Sequence, residues 1–286
     1  MKISNNKLSS VRTYFFETLS KFEESDVKSY FEYLCDAWLG LSKIDIRLNP
    51  DVEITESELL SFFYGIKDLL NYRPVQYVAG KSWFYGLEIG VREGVLIPRP
   101  ETEELVDWIV KENLTAQNVF EIGTGSGCIP LAIKSNLKKA TVFAGDISEE
   151  ALLIAESNAK VLNLKVHFQR FDALNWQEFK FEQKFDVIVS NPPYIPNSDK
   201  NFMHKNVLDF EPGLALFVAN ESPLLFYEKI ADFALENLSE SGALYFEIHE
   251  RFGSETIKML KDKGFLNVFL RQDLQGKDRM LKATIN

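Results

Sequence analysis

The sequence predicts an α/β protein in which helices cover both faces of a mostly parallel sheet, preceded by a small helical bundle. Three observations predict this fold class. Apolar residues recur at helical intervals until about residue 72, and short apolar runs alternate with amphipathic segments after it. A glycine-rich turn at 123–127 follows one of these apolar runs. Polar residues follow several others, at the position where open parallel sheets bind their ligands.

The first part of the chain is predicted to be a helical bundle over residues 1–73. Its apolar residues form three runs with helical spacing, the second near 30–39 and the last near 59–70. Ser25 and Asp26 stand before the second run, and Thr55 or Ser57 stands before the last, as expected of N-terminal caps. We expect most aromatic side chains of these helices to form a packed core.

Residues 74–94 are predicted to link this bundle to a larger domain at 95–286. Within the linker, residues 77–80 and 83–89 have the pattern of a short strand pair. The larger domain then alternates strands and helices, which favours a parallel sheet. Its predicted strands lie at 118–122, 141–144, 165–169, 185–190 and 243–248, and its predicted helices include 149–161 and 224–238.

The last two apolar runs, 268–271 and 280–285, flank a polar turn. This arrangement is typical of a hairpin. We therefore expect the sheet to end in an antiparallel pair of strands.

Composition narrows the classes of partner. The 286-residue chain is 45% hydrophobic and 26% charged, which is typical of a folded protein with a buried core. Its formal net charge of −10 disfavours binding to a phosphate backbone, because such binding depends on lysine and arginine. A protein or small-molecule partner is favoured over nucleic acid.

We expect a cytoplasmic monomer without a metal ion. No apolar run approaches the roughly 20 residues needed to span a bilayer, and the N-terminus lacks the apolar core of a signal peptide. Cys35 and Cys128 lie far apart in predicted helices, which suits free buried thiols in a reducing compartment. The three histidines form no metal-ligand spacing with them.

The turn at 123–127, Gly123-Thr124-Gly125-Ser126-Gly127, follows a predicted strand and opens a predicted helix. Glycines at this position let the backbone approach a ligand closely. The spacing is GxGxG and lacks the third glycine of the dinucleotide fingerprint, which disfavours a nicotinamide cofactor.

Two acidic residues stand at the ends of the next two strands. Asp146 ends the second predicted strand, where a carboxylate can accept hydrogen bonds from both hydroxyls of a ribose. Asp172 follows the third, where it can meet an adenine amino group. The alternatives are a helix cap for Asp146 and a turn cap for Asp172. Their joint position beside the glycine turn favours an adenosyl site.

Asn191-Pro192-Pro193-Tyr194 follows the fourth strand and indicates a clamp for a planar NH2 group. The Asn191 side-chain oxygen and the Pro192 backbone oxygen can accept both N–H bonds. The prolines stiffen the loop, and Tyr194 adds a flat face. The alternative is a proline-rich turn that only closes a strand. A nitrogen clamp beside an adenosyl site fits S-adenosylmethionine as a methyl donor.

Nearly the whole chain resembles the glutamine N5-methyltransferases that modify class I peptide chain release factors, the PrmC/HemK family. The resemblance rests on PVQYVAG at 74–80, IPRPETE at 97–103, GTGSG at 123–127, NPPYI at 191–195 and Glu211-Pro212. It implies a seven-stranded Rossmann-like class I S-adenosylmethionine-dependent methyltransferase domain behind the helical bundle. It also implies methyl transfer to the side-chain nitrogen of the glutamine in the release factor's Gly-Gly-Gln motif.

The resemblance also implies site residues. Residues 191–194 would hold the glutamine, with Asn191, Pro192 and Tyr194 at the reacting nitrogen. The cofactor would lie against 123–127, Asp146, the Asp172-Ala173 turn and Asn191. Glu121 stands where the family often has aspartate and can still reach the cofactor's amino group. Ala173 stands where the family often has a bulky aromatic, so only backbone contact with adenine is expected there. The segment 247–253 lacks an expected glutamine, so no role is assigned to it.

Three other functions share parts of this pattern. A related enzyme methylates a glutamine of a large-subunit ribosomal protein, but its version of the 97–103 stretch usually differs. Adenine or guanine N-methyltransferases use the same Asn-Pro-Pro-aromatic clamp on a flipped base. The acidic charge and the lack of a basic, aromatic-rich appendage disfavour that class. An intact clamp and an intact glycine turn disfavour a non-catalytic binding module.

Overall fold

The computed structural model describes residues 5–286, which divide into two compact units. One unit holds the described residues up to Lys81 together with His204–Phe210, and the other holds Ser82–Met203 and Glu211–Asn286. No sequence pattern predicted that residues 204–210 would group with the helical unit. Among the residues that the structure describes, no helix combines the length and apolarity needed to cross a membrane.

The predicted helical bundle is confirmed within the described residues, and residues 1–4 of the predicted range lie outside them. Its core contains Phe15, Phe31 and Phe62, all buried, with the first two rings edge-to-face at 5.4 Å between centroids. Such aromatic pairs add to the stabilisation from apolar burial. The helices of this unit are α1 (Leu8–Thr18), α2 (Glu24–Leu39), α3 (Lys43–Leu48), α4 (Glu56–Leu70), α5 (Val75–Ala79) and α9 (Lys205–Phe210).

One predicted helix cap is confirmed and another is wrong. The Thr55 hydroxyl accepts a hydrogen bond from the Glu58 N–H at 3.3 Å, and the Glu58 carboxylate accepts one from the Thr55 N–H at 2.7 Å. Helix α2 instead begins at Glu24 without a side-chain cap, so Ser25 and Asp26 lie in its first turn. Acidic residues are favourable there because the helix dipole is positive at its N-terminus.

The prediction of a strand over residues 77–80 is wrong, because these residues belong to helix α5 and its C-terminal cap. The helix begins after Pro74 and ends at Gly80, whose φ is 76°. Proline before a first turn and glycine after a last turn are typical helix boundaries. Helical packing thus overrides the apolar pattern that indicated a strand.

The linking strand pair lies at 81–90 and not at 77–89, so the predicted second strand, 83–89, is divided between two strands and the turn that joins them. Its strands are β1 (Lys81–Phe84) and β2 (Leu87–Gly90). They are joined by Tyr85 and Gly86, whose φ angles are 47° and 78°. Two positive φ angles are what a tight type I′ hairpin turn requires.

A seven-stranded sheet lies at the centre of the larger unit, and the predicted α/β fold class is confirmed. Its strands are β3 (Asn118–Ile122), β4 (Thr141–Asp146), β5 (His167–Arg170), β6 (Phe185–Ser190), β9 (Leu238–Glu247), β10 (Asn267–Gln272) and β11 (Asp278–Thr284). Their order is β10-β11-β9-β6-β3-β4-β5. Strands β5, β4, β3, β6 and β9 run parallel, and β11 is antiparallel to both of its neighbours. The predicted C-terminal hairpin is therefore confirmed.

The connections of this unit carry helices and one short strand pair. The helices are α6 (Pro100–Glu112), α7 (Cys128–Asn136), α8 (Glu149–Val161), α10 (Gly213–Leu216), α11 (Leu225–Asn237) and α12 (Gly253–Lys263). The short pair is β7 (Ile195–Pro196) with β8 (Phe217–Val218), which no sequence pattern predicted. Both cysteines are free, with Cys35 buried and Cys128 half-buried at the start of α7.

The register of the sheet brings four strand ends to one edge. Ile122 lies opposite Gly145 on one side and opposite Ser190 on the other. Ser190 in turn lies opposite Phe246. The residues that follow these positions are Gly123, Asp146, Asn191 and Glu247.

A cluster of aromatic rings fixes the strands that carry this edge. Phe120 of β3 stacks on Phe185 of β6 with 5.2 Å between centroids and meets Phe171 edge-on at 5.2 Å. Phe233 of α11 packs against the same ring at 5.5 Å. Burial of each such side chain contributes about 1.5–3 kcal/mol. The packing holds β3, β6 and the segment after β5 in place beneath the site.

Candidate active site

A cavity of about 290 Å³ opens at this edge of the sheet. The glycine turn, the ends of β4 and β6 and the segment after β5 all contribute to its lining. The predicted site residues that line it are Gly123, Gly125, Asp146, Asp172, Ala173, Asn191, Pro192 and Pro193. Those that lie outside its lining are Glu121, Thr124, Ser126, Gly127 and Tyr194.

The glycine turn needs glycine for its backbone conformation. Gly123, Gly125 and Gly127 have φ angles of 81°, 53° and 81°, in the left-handed region. A Cβ on Gly125 would meet no atom within 4 Å, whereas a Cβ on Gly127 would lie 3.0 Å from the Ala155 Cβ. Gly125 therefore leaves open space at the cavity surface, and Gly127 allows the turn to pack against α8.

Asp146 is oriented by the main chain around the glycine turn. Its carboxylate accepts a hydrogen bond from the Gly125 N–H at 2.8 Å and another from the Ser148 N–H at 2.9 Å. Helix α8 is capped by the Ser148 side chain, so the helix-cap interpretation of Asp146 is wrong. Burial raises the pKa of the Asp146 carboxyl, and the N–H bonds oppose that rise. Each oxygen retains a lone pair that can accept a ligand hydroxyl.

Asp172 both caps a turn and lines the cavity, the two possibilities that the sequence left open. Its carboxylate accepts from the Leu174 N–H at 2.9 Å and from the Asn175 side chain at 2.8 Å, and so caps the short 3-10 helix Ala173–Glu178. Asp172 and Ala173 also line the cavity. The cap fixes the turn that forms this part of the cavity wall.

Glu121 is buried beneath the turn and does not face the cavity. Its carboxylate accepts the Thr124 hydroxyl at 2.5 Å. Burial raises the pKa of the Glu121 carboxyl well above its ordinary value, and the nearby Asp146 charge adds to the rise. The structure therefore places Glu121 and Thr124 as internal supports of the turn.

Asn158 of α8 supports the same turn and was missed by the sequence predictions. Its side-chain amide accepts from the Gly90 N–H and donates to the Gly90 carbonyl, each at 2.9 Å. The same amide donates to the Ser126 carbonyl at 2.9 Å. The available signal was a polar residue on the apolar face of α8, three residues after the buried Ala155.

Three of the four clamp residues line the same cavity. Asn191, Pro192 and Pro193 line it, with Asn191 directly after β6. Tyr194 turns away, because its hydroxyl donates to Glu247 at 3.0 Å and its ring meets His249 edge-on at 5.9 Å. Tyr194 is half-buried and lies outside the cavity lining, so its ring does not supply the flat face expected there.

Two further residues connect to the clamp. The Asn191 side-chain NH2 donates to the Thr102 hydroxyl at 3.4 Å, and the Thr102 hydroxyl donates to Glu247 at 2.6 Å. Burial raises the pKa of the Glu247 carboxyl, and the hydroxyls of Thr102 and Tyr194 oppose the rise. Glu247 begins the segment to which the sequence assigned no role, and Thr102 lies within the 97–103 stretch.

The same stretch is fixed to the loop after α9. Glu211 is buried, accepts the Ile97 N–H at 3.1 Å and pairs with the Arg99 guanidinium at 2.5 Å. Leu96 and Pro212, on either side of this pair, line the cavity. The ion pair thus joins two of the stretches on which the family resemblance rests.

The residues present fit S-adenosylmethionine. Asp146 offers a carboxylate to ribose hydroxyls, and the glycine turn offers open main chain. Phe226 and Ile230 supply apolar walls for a flat ring. Among residues 5–286, no group of three or more His, Cys, Asp or Glu could hold a metal ion. The fold and this cavity define a class I methyltransferase that uses S-adenosylmethionine.

Comparison with known proteins narrows the class. Residues 101–222 match the family model of the methyltransferase small domain, and residues 11–80 match that of the PrmC N-terminal domain. The chain is 43% identical over 278 residues to the release factor glutamine methyltransferase of Flavobacterium psychrophilum, covering 95% of this chain and 97% of that protein. It therefore belongs to the family of release factor glutamine methyltransferases, and the predicted resemblance is confirmed.

Two further comparisons agree. The release factor glutamine methyltransferase of Bacteroides thetaiotaomicron is 42% identical over 262 residues, covering 92% of this chain and 94% of that protein. A crystal structure of a methyltransferase from Pyrococcus furiosus superposes with a TM-score of 0.52 at 16% identity, covering 81% of this chain and 99% of that one. The structural likeness supports the fold alone.

Proposed function

We propose that this protein transfers the methyl group of S-adenosylmethionine to the side-chain amide nitrogen of the glutamine in the Gly-Gly-Gln motif of class I release factors. The observation that carries the proposal is one cavity lined by both the glycine turn with Asp146 and the Asn191-Pro192-Pro193 loop. The acceptor is inferred from the names of two relatives, both called release factor glutamine methyltransferase, at 43% and 42% identity.

Each predicted cofactor residue that lines this side of the cavity has a proposed role. Asp146 would accept hydrogen bonds from the ribose hydroxyls, and Gly123 and Gly125 would let the main chain approach the amino-acid part. The turn at Asp172 and Ala173 would contact adenine. When bound there, S-adenosylmethionine supplies a methyl group on a positively charged sulfur. Glu121, Thr124, Ser126 and Gly127 would act by holding this turn in shape.

The clamp would orient the acceptor. The lone pair of an amide nitrogen is delocalised, so the nitrogen is a poor nucleophile until it is held. The Asn191 side-chain oxygen and the Pro192 carbonyl would each accept one N–H of the glutamine amide, which exposes the lone pair and stabilises the charge that develops on nitrogen. Holding reactants in this way can supply roughly 7–11 kcal/mol. The methylated nitrogen would then lose its proton to water, so the chain need not supply a base.

Replacing Asn191 tests the clamp. We expect Asn191→Ala to lower kcat about 10²–10³-fold, because a preorganised group at the reacting nitrogen is lost. The dissociation constant of S-adenosylmethionine, measured by calorimetry, should change little. A variant that kept most of its turnover would refute the clamp.

A panel of labelled-cofactor reactions tests the acceptor. Release factor, large-subunit ribosomal protein, DNA and ribosomal RNA are each incubated with the enzyme and labelled S-adenosylmethionine. We expect label on the release factor, at the glutamine of its Gly-Gly-Gln motif. Label confined to ribosomal protein or nucleic acid would refute the proposed substrate. The net charge of −10 favours a protein acceptor.

The helical unit would bind the release factor away from its glutamine. We propose a substrate-docking role for residues 1–73, joined through 74–94 to the catalytic domain at 95–286, since one side chain offers too little contact for specificity. On α3, Ile44 is 68% exposed and Leu48 is 73% exposed. Replacing both with serine should raise KM for the release factor about tenfold. Leu114→Ser, at 73% exposure in the larger unit, is the matched control and should leave KM unchanged.

We also propose that the protein acts as a monomer in the cytoplasm, without binding nucleic acid. The acidic charge supports the last point. Light scattering of the purified protein with and without release factor would test the oligomeric state. A stable dimer in both samples would contradict the proposal.

A further inference from the structure

A directed chain of hydrogen bonds ends on the clamp. The Asn191 side-chain NH2 donates to the Thr102 hydroxyl at 3.4 Å, and that hydroxyl donates to Glu247 at 2.6 Å. Tyr194 donates its hydroxyl to the other oxygen of the same carboxylate at 3.0 Å. Thr102 lies in the first turn of α6, and Glu247 ends β9 beside β6.

The direction of this chain follows from the chemistry of its members. Both hydroxyls that meet Glu247 donate to it, Thr102 to one carboxyl oxygen and Tyr194 to the other. The Thr102 proton is therefore committed to Glu247, and a lone pair of its oxygen faces Asn191. A lone pair selects the NH2 end of the Asn191 amide over its oxygen. The Asn191 oxygen is then left for the cavity, which Asn191 lines.

The surroundings hold Glu247 in this position. Thr102 is 3% exposed and Glu247 is 1% exposed. The Tyr227 hydroxyl donates to the Glu247 backbone carbonyl at 3.2 Å, so both the main chain and the side chain of this residue are tied. Burial raises the pKa of the Glu247 carboxyl, the two hydroxyls and the charge of Arg279 oppose the rise, and Glu101 of α6 adds to it.

We propose that Thr102 and Glu247 are positioning residues that decide which end of the Asn191 amide faces the acceptor. With the oxygen facing the cavity, Asn191 accepts an N–H of the glutamine amide. With the NH2 group facing the cavity, it would oppose that N–H, and the clamp would lose one of its two acceptors. The inference rests on the proposed function, because it assigns the two residues an effect on that reaction.

Threonine variants test the first link of the chain. Thr102→Val removes the hydroxyl with little change in side-chain shape, and Thr102→Ser retains it. We expect T102V to lower kcat for release-factor methylation between about tenfold and a hundredfold, since misplacing a reacting group is costly. KM for the release factor and the dissociation constant of S-adenosylmethionine should change less than about twofold. T102S should recover most of kcat.

A matched control separates positioning from general destabilisation. Thr256 of α12 is also buried, and its hydroxyl donates to the Phe252 carbonyl at 2.7 Å outside the cavity lining. Thr256→Val removes a comparable buried hydroxyl and should keep the wild-type kcat. A T256V enzyme as slow as T102V would overturn the positioning role.

Glu247→Gln tests the direction of the chain. A glutamine amide has one accepting end and one donating end, so it cannot accept from both Thr102 and Tyr194. When its NH2 group faces Thr102, the threonine proton turns to Asn191 and the amide of Asn191 reverses. We expect kcat to fall at least about tenfold, with cofactor affinity unchanged. E247Q carries the test if T102V fails to fold, because a neutral amide is easier to bury than an ionised acid.

The outcomes distinguish the inference from the function on which it rests. Wild-type kcat in both T102V and E247Q, with wild-type enzyme active on the release factor, would overturn the inference. Loss of kcat in T102V without recovery in T102S would do the same. A wild-type enzyme that does not methylate the release factor would instead refute the proposed function.

Discussion

The support that Asn158 gives to the glycine turn leads to a quantitative prediction. The Asn158 amide pairs with both the N–H and the carbonyl of Gly90, as a neighbouring strand would, and also donates to the Ser126 carbonyl. Asn158→Leu keeps the approximate size of the side chain and removes all three hydrogen bonds. Asn158 is 6% exposed, so water cannot freely replace them.

The magnitude follows from these bonds. Each hydrogen bond contributes about 0.5–1.5 kcal/mol net, so N158L should lower the free energy of unfolding by about 1.5–4.5 kcal/mol. For a protein of this size, 1 kcal/mol corresponds to about 2–4 °C in Tm. The expected decrease in Tm is therefore about 3–18 °C, the product of the two ranges. Affinity for S-adenosylmethionine should also fall, because the turn that it would contact loses its support from α8.

Thermal unfolding followed by circular dichroism measures this effect. Asn237→Leu is the matched control, since the Asn237 amide donates one hydrogen bond, to the Phe233 carbonyl at 2.9 Å within its own helix. N237L should lower Tm by no more than about a third as much, because one bond is lost instead of three. A Tm for N158L within about 2 °C of the wild type would refute the assigned support.

Three further predictions concern the turn and its neighbours. Burial raises the pKa of the Glu121 carboxyl well above its ordinary value of 4.5. The protonated carboxyl therefore contributes its full stability below pH 4.5, and this contribution is lost as pH rises through the pKa of the folded state. The difference in Tm between Glu121→Gln and wild type should therefore grow as pH rises above 4.5, and a difference independent of pH would contradict this. Gly125→Ala should cost about 1–2 kcal/mol of stability in urea unfolding and should also weaken cofactor binding. Gly276 is the control, because it has a φ of 79° and equally open space around a Cβ, and Gly276→Ala should cost stability alone. Glu211→Gln keeps an acceptor for Ile97 but loses the charge opposite Arg99, so we expect a loss of about 1–3 kcal/mol in the same urea assay.

The part of the site that the sequence predicts is the part set by the sheet. In a parallel sheet the carboxyl ends of the strands share one edge, so a glycine turn, Asp146 and Asn191 after three separate strands had to lie near one another. The observed register places them there. The cavity lining confirms this grouping without deciding the role of each residue.

The part that the sequence does not predict depends on side-chain direction and on long-range contacts. Tyr194 follows the prolines, and nothing local shows that its hydroxyl turns inward to Glu247. Thr102 and Glu247 are 145 positions apart, and their contact depends on how α6 packs against β9. The strand prediction for residues 77–80 is wrong for a related reason. Four apolar and small residues suit a strand or a helical turn equally, and here Pro74 and Gly80 favour the helix.

Both halves of the site are supported in the same way, by a buried acid that accepts a threonine hydroxyl. Glu121 accepts the Thr124 hydroxyl at 2.5 Å beneath the cofactor turn, and Glu247 accepts the Thr102 hydroxyl at 2.6 Å beneath the clamp. Both carboxyls are buried, both have a raised pKa, and neither lines the cavity. An ionised carboxylate in such a place lowers stability, because burial disfavours the charge.

A carboxylate that lowers stability is useful where it makes a hydroxyl point in one direction. Glutamine at either position would remove the cost that burial places on an ionised acid, and would leave the threonine proton free to take two positions. Stability and activity should therefore move in opposite directions in E121Q and E247Q near neutral pH, as is common where an active site is built from strained or buried polar groups. The cofactor half should lose affinity in E121Q, and the clamp half should lose kcat in E247Q, because each acid orients a different side of the same cavity.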